Sequence, residues 1–270
     1  MHPQLYSLAT LLGKRASRAA VLASLGLLPA CTVYAPMQPT MPLVSSAGDV
    51  ELSVHALPTG RGEASVAYSP GKGAVFTGAF TTDVPLGQQS STFFTTRQYE
   101  VGGGYYRPLG KAWLLNVLGG FGRATSSRQG GASSMVGAGI PDGFQTTYLK
   151  YFGQLGIAHI EPKDTYGFTY RLTQVEFESL TESSVGALPL KRMLRHEGMF
   201  FWRSPLGPAL TTRWHVQGTM GLSISLADRY AEPKPYTAGG NPALYANQTL
   251  LPVLFLSGGV VYAIPGKRKQ

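Results

Sequence analysis

Histidines, carboxylates and the single cysteine are where chemistry would have to start in these 270 residues. His55, His159, His196 and His215 are scattered, and His2 stands apart near the start. No two of them have metal-ligand spacing, and one cysteine excludes a multi-cysteine metal site and an internal disulfide framework. Arg213, His215 and Gln217 share one parity of a long alternating stretch, which makes His215 a candidate general base or ligand-binding group. The plainer reading of the three is a hydrogen-bonded interior network. Glu100, Lys150, Arg171 and Glu197 fall on the same kind of face, where a buried charge requires a partner. His159 and Glu161 sit near a strand end, and a lipid-editing site would need a serine beside them that the spacing does not supply. Gly102–Gly104 and Gly119–Gly122 precede no helix, so they are not a phosphate loop; inside strands, glycine allows close backbone approach. No metal and no cofactor is expected.

The elements that carry these residues read as strands. Between 211 and 226, Thr211, Arg213, His215, Gln217, Thr219, Gly221, Ser223 and Ser225 alternate with Thr212, Trp214, Val216, Gly218, Met220, Leu222, Ile224 and Leu226. Successive side chains of a strand point to opposite faces, so one face is polar or small and the other almost wholly apolar. Tyr166, Phe168, Tyr170 and Leu172 alternate in the same way with Gly167, Thr169, Arg171 and Thr173. Ten strands are predicted, near 49–57, 62–69, 73–82, 93–107, 111–125, 144–161, 164–180, 194–204, 209–227 and 248–264. Pro252 within the last suggests an edge or a bulge.

The connections alternate as well. Pro70–Lys72, Pro108–Gly110, Pro162–Lys163 and Pro205–Pro208 are short; 83–92, 126–143, 181–193 and 228–247 are long and rich in Gly, Ser, Pro or charge. Short turns on one side and long loops on the other are the pattern of an outer-membrane barrel. The predicted fold is all-β, an antiparallel up-and-down β-barrel of about ten strands spanning 49–265, with a basic tail at 266–270. Aromatic girdles are expected from Tyr105, Tyr106, Trp113, Trp202 and Trp214.

Ahead of the barrel, Lys14, Arg15 and Arg18 precede the apolar stretch Ala19–Leu28, a layout of secretory signals. Leu28-Pro29-Ala30-Cys31 is similar to a lipobox. That resemblance implies a lipoprotein signal peptide over 1–30, cleavage after Ala30, diacylglycerol on the Cys31 sulfur and acylation of the new amine. Two or more acyl chains anchor stably where one does not. Thr32, in place of an aspartate, favours sorting to the outer membrane. Residues 31–48 carry Pro36, Pro39 and Pro42 and then Ser45, Ser46 and Gly48, and read as an extended tether without a core.

Composition agrees with a surface turned away from water. Charged residues make up 14% of the chain, against about 25% in ordinary soluble domains. No run of about 18 apolar residues marks a spanning helix. The formal charge of +9 falls to +6 for residues 31–270 and is spread along the chain. With no basic helix and no nucleic-acid motif, no nucleic-acid partner is expected.

The lipobox, the opening Tyr34-Ala35-Pro36, the hairpin from Tyr99 through Gly102-Gly103-Gly104 to Pro108-Leu109-Gly110, and Gly119-Gly120-Phe121-Gly122 resemble small outer-membrane β-barrel proteins of Gram-negative bacteria, the lipoprotein-anchored kind. The chain departs from the usual pattern in having no terminal aromatic residue. The resemblance implies an outer-membrane location and a non-enzymatic envelope role, structural or through loops 126–143, 181–193 and 228–247 meeting an external partner. Membrane lipid would be contacted through Cys31 and the barrel surface. If the short turns are periplasmic, the first strand starts there, and the lipid anchor is expected on the periplasmic side. Two other readings compete: a soluble, periplasmic, lipocalin-like barrel carrying a small apolar ligand, and a lipid-modifying barrel enzyme.

The anchor and the barrel can be separated. The Cys31→Ser protein should remain in the outer-membrane fraction, because a spanning barrel does not depend on lipid for attachment. Its appearance in the soluble fraction would contradict a spanning barrel.

Overall fold

The computed structural model describes residues 33–83, 93–129, 143–161, 163–208, 212–226 and 242–266. The expected signal peptide, Cys31, the tips of the long loops and residues 267–270 lie outside them. The strands are β1 (Val50–Ala56), β2 (Arg61–Gly71), β3 (Ala74–Asp83), β4 (Phe93–Leu109), β5 (Trp113–Gln129), β6 (Phe144–Ile160), β7 (Thr165–Glu182), β8 (Gly186–Ala187), β9 (Arg192–Pro205), β10 (Trp214–Ser225) and β11 (Val253–Ile264). One helix, α1 (Pro242–Thr249), precedes β11.

Hydrogen-bonded neighbours run antiparallel from β6 back through β5, β4, β3, β2 and β1 to β11, β10, β9 and β7, and β6 pairs with β7. The sheet is therefore closed into a ten-stranded barrel. β8 stands outside the ring and pairs only with the end of β7. Closure leaves no edge strand with unpaired backbone groups, the condition for a sheet to sit in hydrocarbon. Short connections follow β2, β4, β6 and β9, and long ones follow β3, β5, β7 and β10. One end of the barrel is thus a turn end, where β1 begins and β11 finishes, and the other is a loop end. Gly73 and Gly110 supply the positive φ of two tight turns.

The alternation resolves radially. On β10, Gln217, Thr219 and Ser223 are buried, while Trp214, Met220 and Leu222 are exposed. On β7, Thr169, Arg171 and Thr173 point inward and Tyr166, Phe168, Tyr170 and Leu172 outward. The exposed large side chains of the strands are mostly apolar, and the charged and amide side chains at mid-height face in, with smaller apolar clusters inside at the two ends and beside Met41. A soluble lipocalin-like barrel requires the reverse, so this arrangement removes that alternative. On β7 the outward apolar run from Tyr166 gives way to Gln174, Glu176 and Glu178. Its height is roughly 20–25 Å for a tilted strand, the thickness of a membrane barrel's belt. An extra residue at Glu178–Ser179 leaves both outside and lets Phe177 and Leu180 both face in.

Several boundaries differ from expectation. β10 begins at Trp214, not near 209, so Arg213 is outside the strand. β5 continues to Gln129, past the expected start of its loop. Residues 248 and 249 end α1 and are not strand. Pro252 has no N–H for a ladder, and it stands just before β11 instead of within it. Tyr106 points inward, against the girdle assigned to it, since its neighbour Tyr105 takes the outward position and adjacent residues oppose.

The largest correction concerns the proline-rich run. Residues 33–44 are extended, as a tether would be, but they are packed inside the barrel. Val33 to Pro39 are all buried, as are Met41, Pro42 and Val44. Val33 and Tyr34 sit among Phe144, Tyr148, Val175, Leu180 and Met193 at the loop end. Met41 packs with Ala158, Met199 and Phe201. Val44 packs with Ala67, Val75, Tyr106 and Leu114 at the turn end. Twelve extended residues reach roughly 40 Å, enough to run the length of the lumen. Proline suits this position because the segment joins no ladder, and the backbone bonds of Ala35, Pro36, Gln38, Thr40 and Leu43 go to side chains of the wall.

β4 and β5 approach most closely where inward positions are glycine. A Cβ on Gly104 would run into the carbonyl oxygen of Val117 and the Leu118 backbone, whereas one on Gly153 would meet nothing within 4 Å. Gly104→Ala should therefore lower unfolding stability by about 3 kcal/mol or more. Gly153→Ala should unfold within about 0.5 kcal/mol of the parent in the same urea titration.

Candidate functional site: a filled polar lumen

The inward faces carry three clusters of charge, stacked along the segment 33–44. Nearest the loop end are Arg195 and Glu197, neighbours in parity on β9 and both fully buried. Glu197 Oε1 accepts from Tyr34 Oη at 2.8 Å and from Ser223 Oγ at 3.1 Å, and its Oε2 accepts from Thr173 Oγ1 at 3.0 Å. Arg195 donates from Nε to Ser223 Oγ at 3.0 Å, from Nη2 to the Ser223 carbonyl at 2.8 Å, and from Nη1 to the Leu251 carbonyl at 3.1 Å. Its guanidinium lies 5.1 Å from the Tyr34 ring centroid, within cation–π range. The carbonyl contacts tie the chain after α1 to the wall, and Tyr245, Ala246 and Leu250 pack into the loop-end apolar cluster.

Midway lies a carboxylate shared by two cations. Lys150 Nζ is 2.7 Å from Glu100 Oε1, and Arg171 Nη1 is 2.9 Å from Glu100 Oε2. The side chains of Lys150 and Arg171 are 0% and 1% exposed. Lys150 also donates to Gln98 Oε1 at 2.7 Å, and Arg171 donates to Gln154 Oε1 from Nε at 3.0 Å and Nη2 at 2.9 Å. Arg171 lies over Phe152, 4.3 Å from its centroid. The amides then turn their donors to the threaded segment: Gln98 Nε2 to the Ala35 carbonyl at 2.9 Å and Gln154 Nε2 to the Thr40 carbonyl at 2.6 Å. On the opposite wall, Arg61 pairs with Glu63 at 2.8 Å and donates to the Pro36 carbonyl at 2.7 Å. Glu63 Oε2 accepts from the Gln38 N–H at 3.1 Å.

Towards the turn end, Arg203 binds Glu51 through two parallel bonds, at 2.8 and 3.0 Å. This forked geometry is the strong form of an ion pair. Arg203 Nε also donates to Gln217 Oε1 at 2.9 Å, and Glu51 Oε2 accepts from the Leu43 N–H at 3.2 Å. Asn116 Nδ2 donates to Met41 Sδ. A cavity of about 30 Å³ remains between Gln38–Met41 and the small residues Ser53, Ser65 and Ala79. It has room for about one or two waters, not for a ligand.

The residues singled out in the sequence are thus divided among these clusters. Glu100, Lys150 and Arg171 meet directly; Glu197 and Gln217 belong to the clusters above and below. His215 is only part-buried, at the turn end beside the Arg203 level. Arg213 is exposed, because the strand parity does not extend to it. Sequence reading passed over Glu51, Arg61, Glu63, Arg195 and Arg203. Their inward parity was readable on β1, β2 and β9, but nothing in the sequence indicated a segment inside for them to hold.

His159 lies at the turn-end rim, 3.4 Å from Glu161, with its ring 4.6 Å from Trp113 and 5.1 Å from Tyr166 between centroids. It is part of an aromatic rim with Trp202, Trp214 and Tyr262, the last two 4.6 Å apart. Among the described residues no hydrogen bond joins a serine to His159, and no group of His, Cys, Asp and Glu could hold a metal.

Neither a family model nor a curated protein matches the sequence. Among solved structures, the translocator domain of the autotransporter NalP from Neisseria meningitidis aligns over 97% of this chain and 99% of that one, at 11% identity and a TM-score of 0.35. The KdgM porin aligns over 80% of this chain and 99% of its own, at 9% identity and 0.33. The NanC porin aligns over the same shares at 11% identity and 0.34. What those proteins admit or translocate stays with them.

Removing one member of the central cluster should expose its cost. Glu100→Gln leaves Lys150 and Arg171 buried without a carboxylate and should destabilise the barrel by about 3–5 kcal/mol in a urea titration. Arg213→Gln, at an exposed position, should change the same midpoint by no more than about 0.5 kcal/mol.

Proposed function

We propose that this chain is a lipid-anchored outer-membrane β-barrel with its lumen closed by its own N-terminal segment, serving the envelope as a structural or loop-presenting protein. The observation that carries this reading is the run 33–44, mostly buried along the lumen and bonded to all three charge clusters, through Tyr34 to Glu197, the Ala35 carbonyl to Gln98 and the Leu43 N–H to Glu51. A ten-stranded barrel has a narrow interior that side chains can nearly fill, and among the described residues the cavity left between the threaded segment and the wall at Gln38–Met41, about 30 Å³, is too small to pass a solute. The apolar belt and aromatic rim support a membrane-spanning position. Cys31 supplies the anchor through its lipobox-like setting. The loops over 126–143, 181–193 and 228–247 are the surfaces available to an external partner, and the belt is the surface for membrane lipid.

An enzyme working on lipids is the weaker reading. His159 and Glu161 approach each other at the rim, but the His159 ring is held between two aromatic side chains.

Conductance separates a closed barrel from a pore. The purified protein in a planar lipid bilayer should give no stable current steps. A variant lacking residues 33–44 should give them, since removing the segment bares a channel lined by Arg61, Glu63, Glu100, Arg171 and Arg203. Steady steps from the full-length protein would identify a porin and end the closed-barrel reading.

A further inference from the structure

The direction of the threaded segment has a consequence for the side on which the chain begins. The first residue of β1 is at the turn end, hydrogen-bonded in register with Tyr68 and Ile264. Going backwards from it, Val44 is still at the turn end, among Val75, Tyr106 and Leu114. Leu43 then meets Glu51, Thr40 meets Gln154, Gln38 meets Glu63, and Ala35 meets Gln98. Tyr34 reaches Glu197 and Arg195, and Val33 lies among Phe144, Leu180 and Met193 at the loop end. Each contact is one step further from the turns. The segment crosses the barrel once, without doubling back, and its first described residue is at the opposite end from β1.

We infer that the amino terminus of the mature chain leaves the barrel on the long-loop side, so that an acylated Cys31 anchors in the lipid leaflet on that side. This rests on the outer-membrane reading above. Cys31 precedes Val33 by two residues, a reach of about 7 Å, and so cannot return to the turn end. The expectation of a periplasmic anchor took the start of β1 as the start of the mature chain's path; the threaded segment parts the two. With long loops outward, the lipid on Cys31 enters the outer leaflet, and the chain is pinned to the cell surface from inside its own lumen. The partner of this terminus is a lipid surface: acyl chains on the amine and on the cysteine sulfur are apolar groups that leave water for hydrocarbon, and more than one of them makes the anchorage stable.

Three single-thiol variants of the full chain test this in cells with a membrane-impermeant maleimide. Thr32→Cys places a thiol beside Cys31, whose own sulfur is blocked when lipidated. Ala187→Cys, exposed on β8, marks the loop side, and Lys111→Cys, exposed in the turn between β4 and β5, marks the turn side. Thr32→Cys should label in intact cells at a rate matching Ala187→Cys, with Lys111→Cys labelled only after the outer membrane is permeabilised. Labelling of Thr32→Cys only together with Lys111→Cys, or not until the protein is denatured, would overturn the inference. If instead Ala187→Cys is shielded and Lys111→Cys labels in intact cells, the orientation assumed in the outer-membrane reading is wrong, and the inference is judged by whether Thr32→Cys still follows Ala187→Cys.

Discussion

Glu100 accepts from Lys150 and Arg171 in a region where no charge can reach bulk water. That shared carboxylate shows the constraint under which the whole molecule is built. Hydrocarbon outside forces the apolar residues outward and the strands into a closed ring. The polar residues are then enclosed, and each ionised group needs a fixed partner, because a buried ion pair is stabilising only when its remaining lone pairs and protons are also satisfied. Side chains of the wall do not complete this alone. Gln98 and Gln154, which hold the two cations, spend their amide donors on carbonyls of Ala35 and Thr40. Arg61 and Glu63 do the same with Pro36 and Gln38. The threaded segment is therefore a structural part of the charge network, and the network in turn satisfies a backbone that has no strand neighbour.

The wall was legible in the sequence, and what fills it was not. The strands β7 and β10 could be read most directly because one face of each is apolar and the alternation runs with a period of two over many residues. The order of short and long connections gave closure and strand number. Residues 33–44 have no comparable signal. A segment surrounded by polar side chains is under no pressure to alternate, and its prolines, which look like solvent-exposed linker, suit a backbone bonded by side chains. Where the sequence reading misplaced single residues, the cause was local. Arg213 continues the parity of β10 by one position past the point where pairing stops. Tyr105 and Tyr106 are both aromatic, so composition could not decide which of them faces lipid. Leu250 and Leu251 look like strand residues because they are apolar on both sides, but they finish a loop that packs into the mouth of the barrel, with their carbonyls directed at Arg195.

The ring is also uneven. β4, β5 and β6 have 17 residues each and β7 has 18, while β1 has 7, β2 has 11 and β3 has 10. The tall side projects beyond the apolar belt at the loop end, where its outer face carries Glu176 and the exposed pair Arg123–Glu178 at 2.7 Å. Its inner face at that height carries Phe144, Tyr148 and Phe177, against which α1 and the loop after β7 pack. The loop end thus has an apolar core of its own, above the polar lumen and independent of the membrane. The low side has small inward residues, Ser53, Ser65 and Ala79, and the cavity of about 30 Å³ lies beside them.

The threaded segment also sets an order of events. The residues made first in the mature chain end up innermost, and the seam that closes the barrel joins β1, which follows them directly, to β11, made last. Bonds from the segment reach partners such as Glu197 and Thr219 more than 150 positions away. Contacts of such long sequence separation form late and slowly. The bonds that seat the occupant and the pairing of β1 with β11 that shuts the ring therefore belong to the same late stage of folding, and that last zipping is also the step that makes the occupant captive.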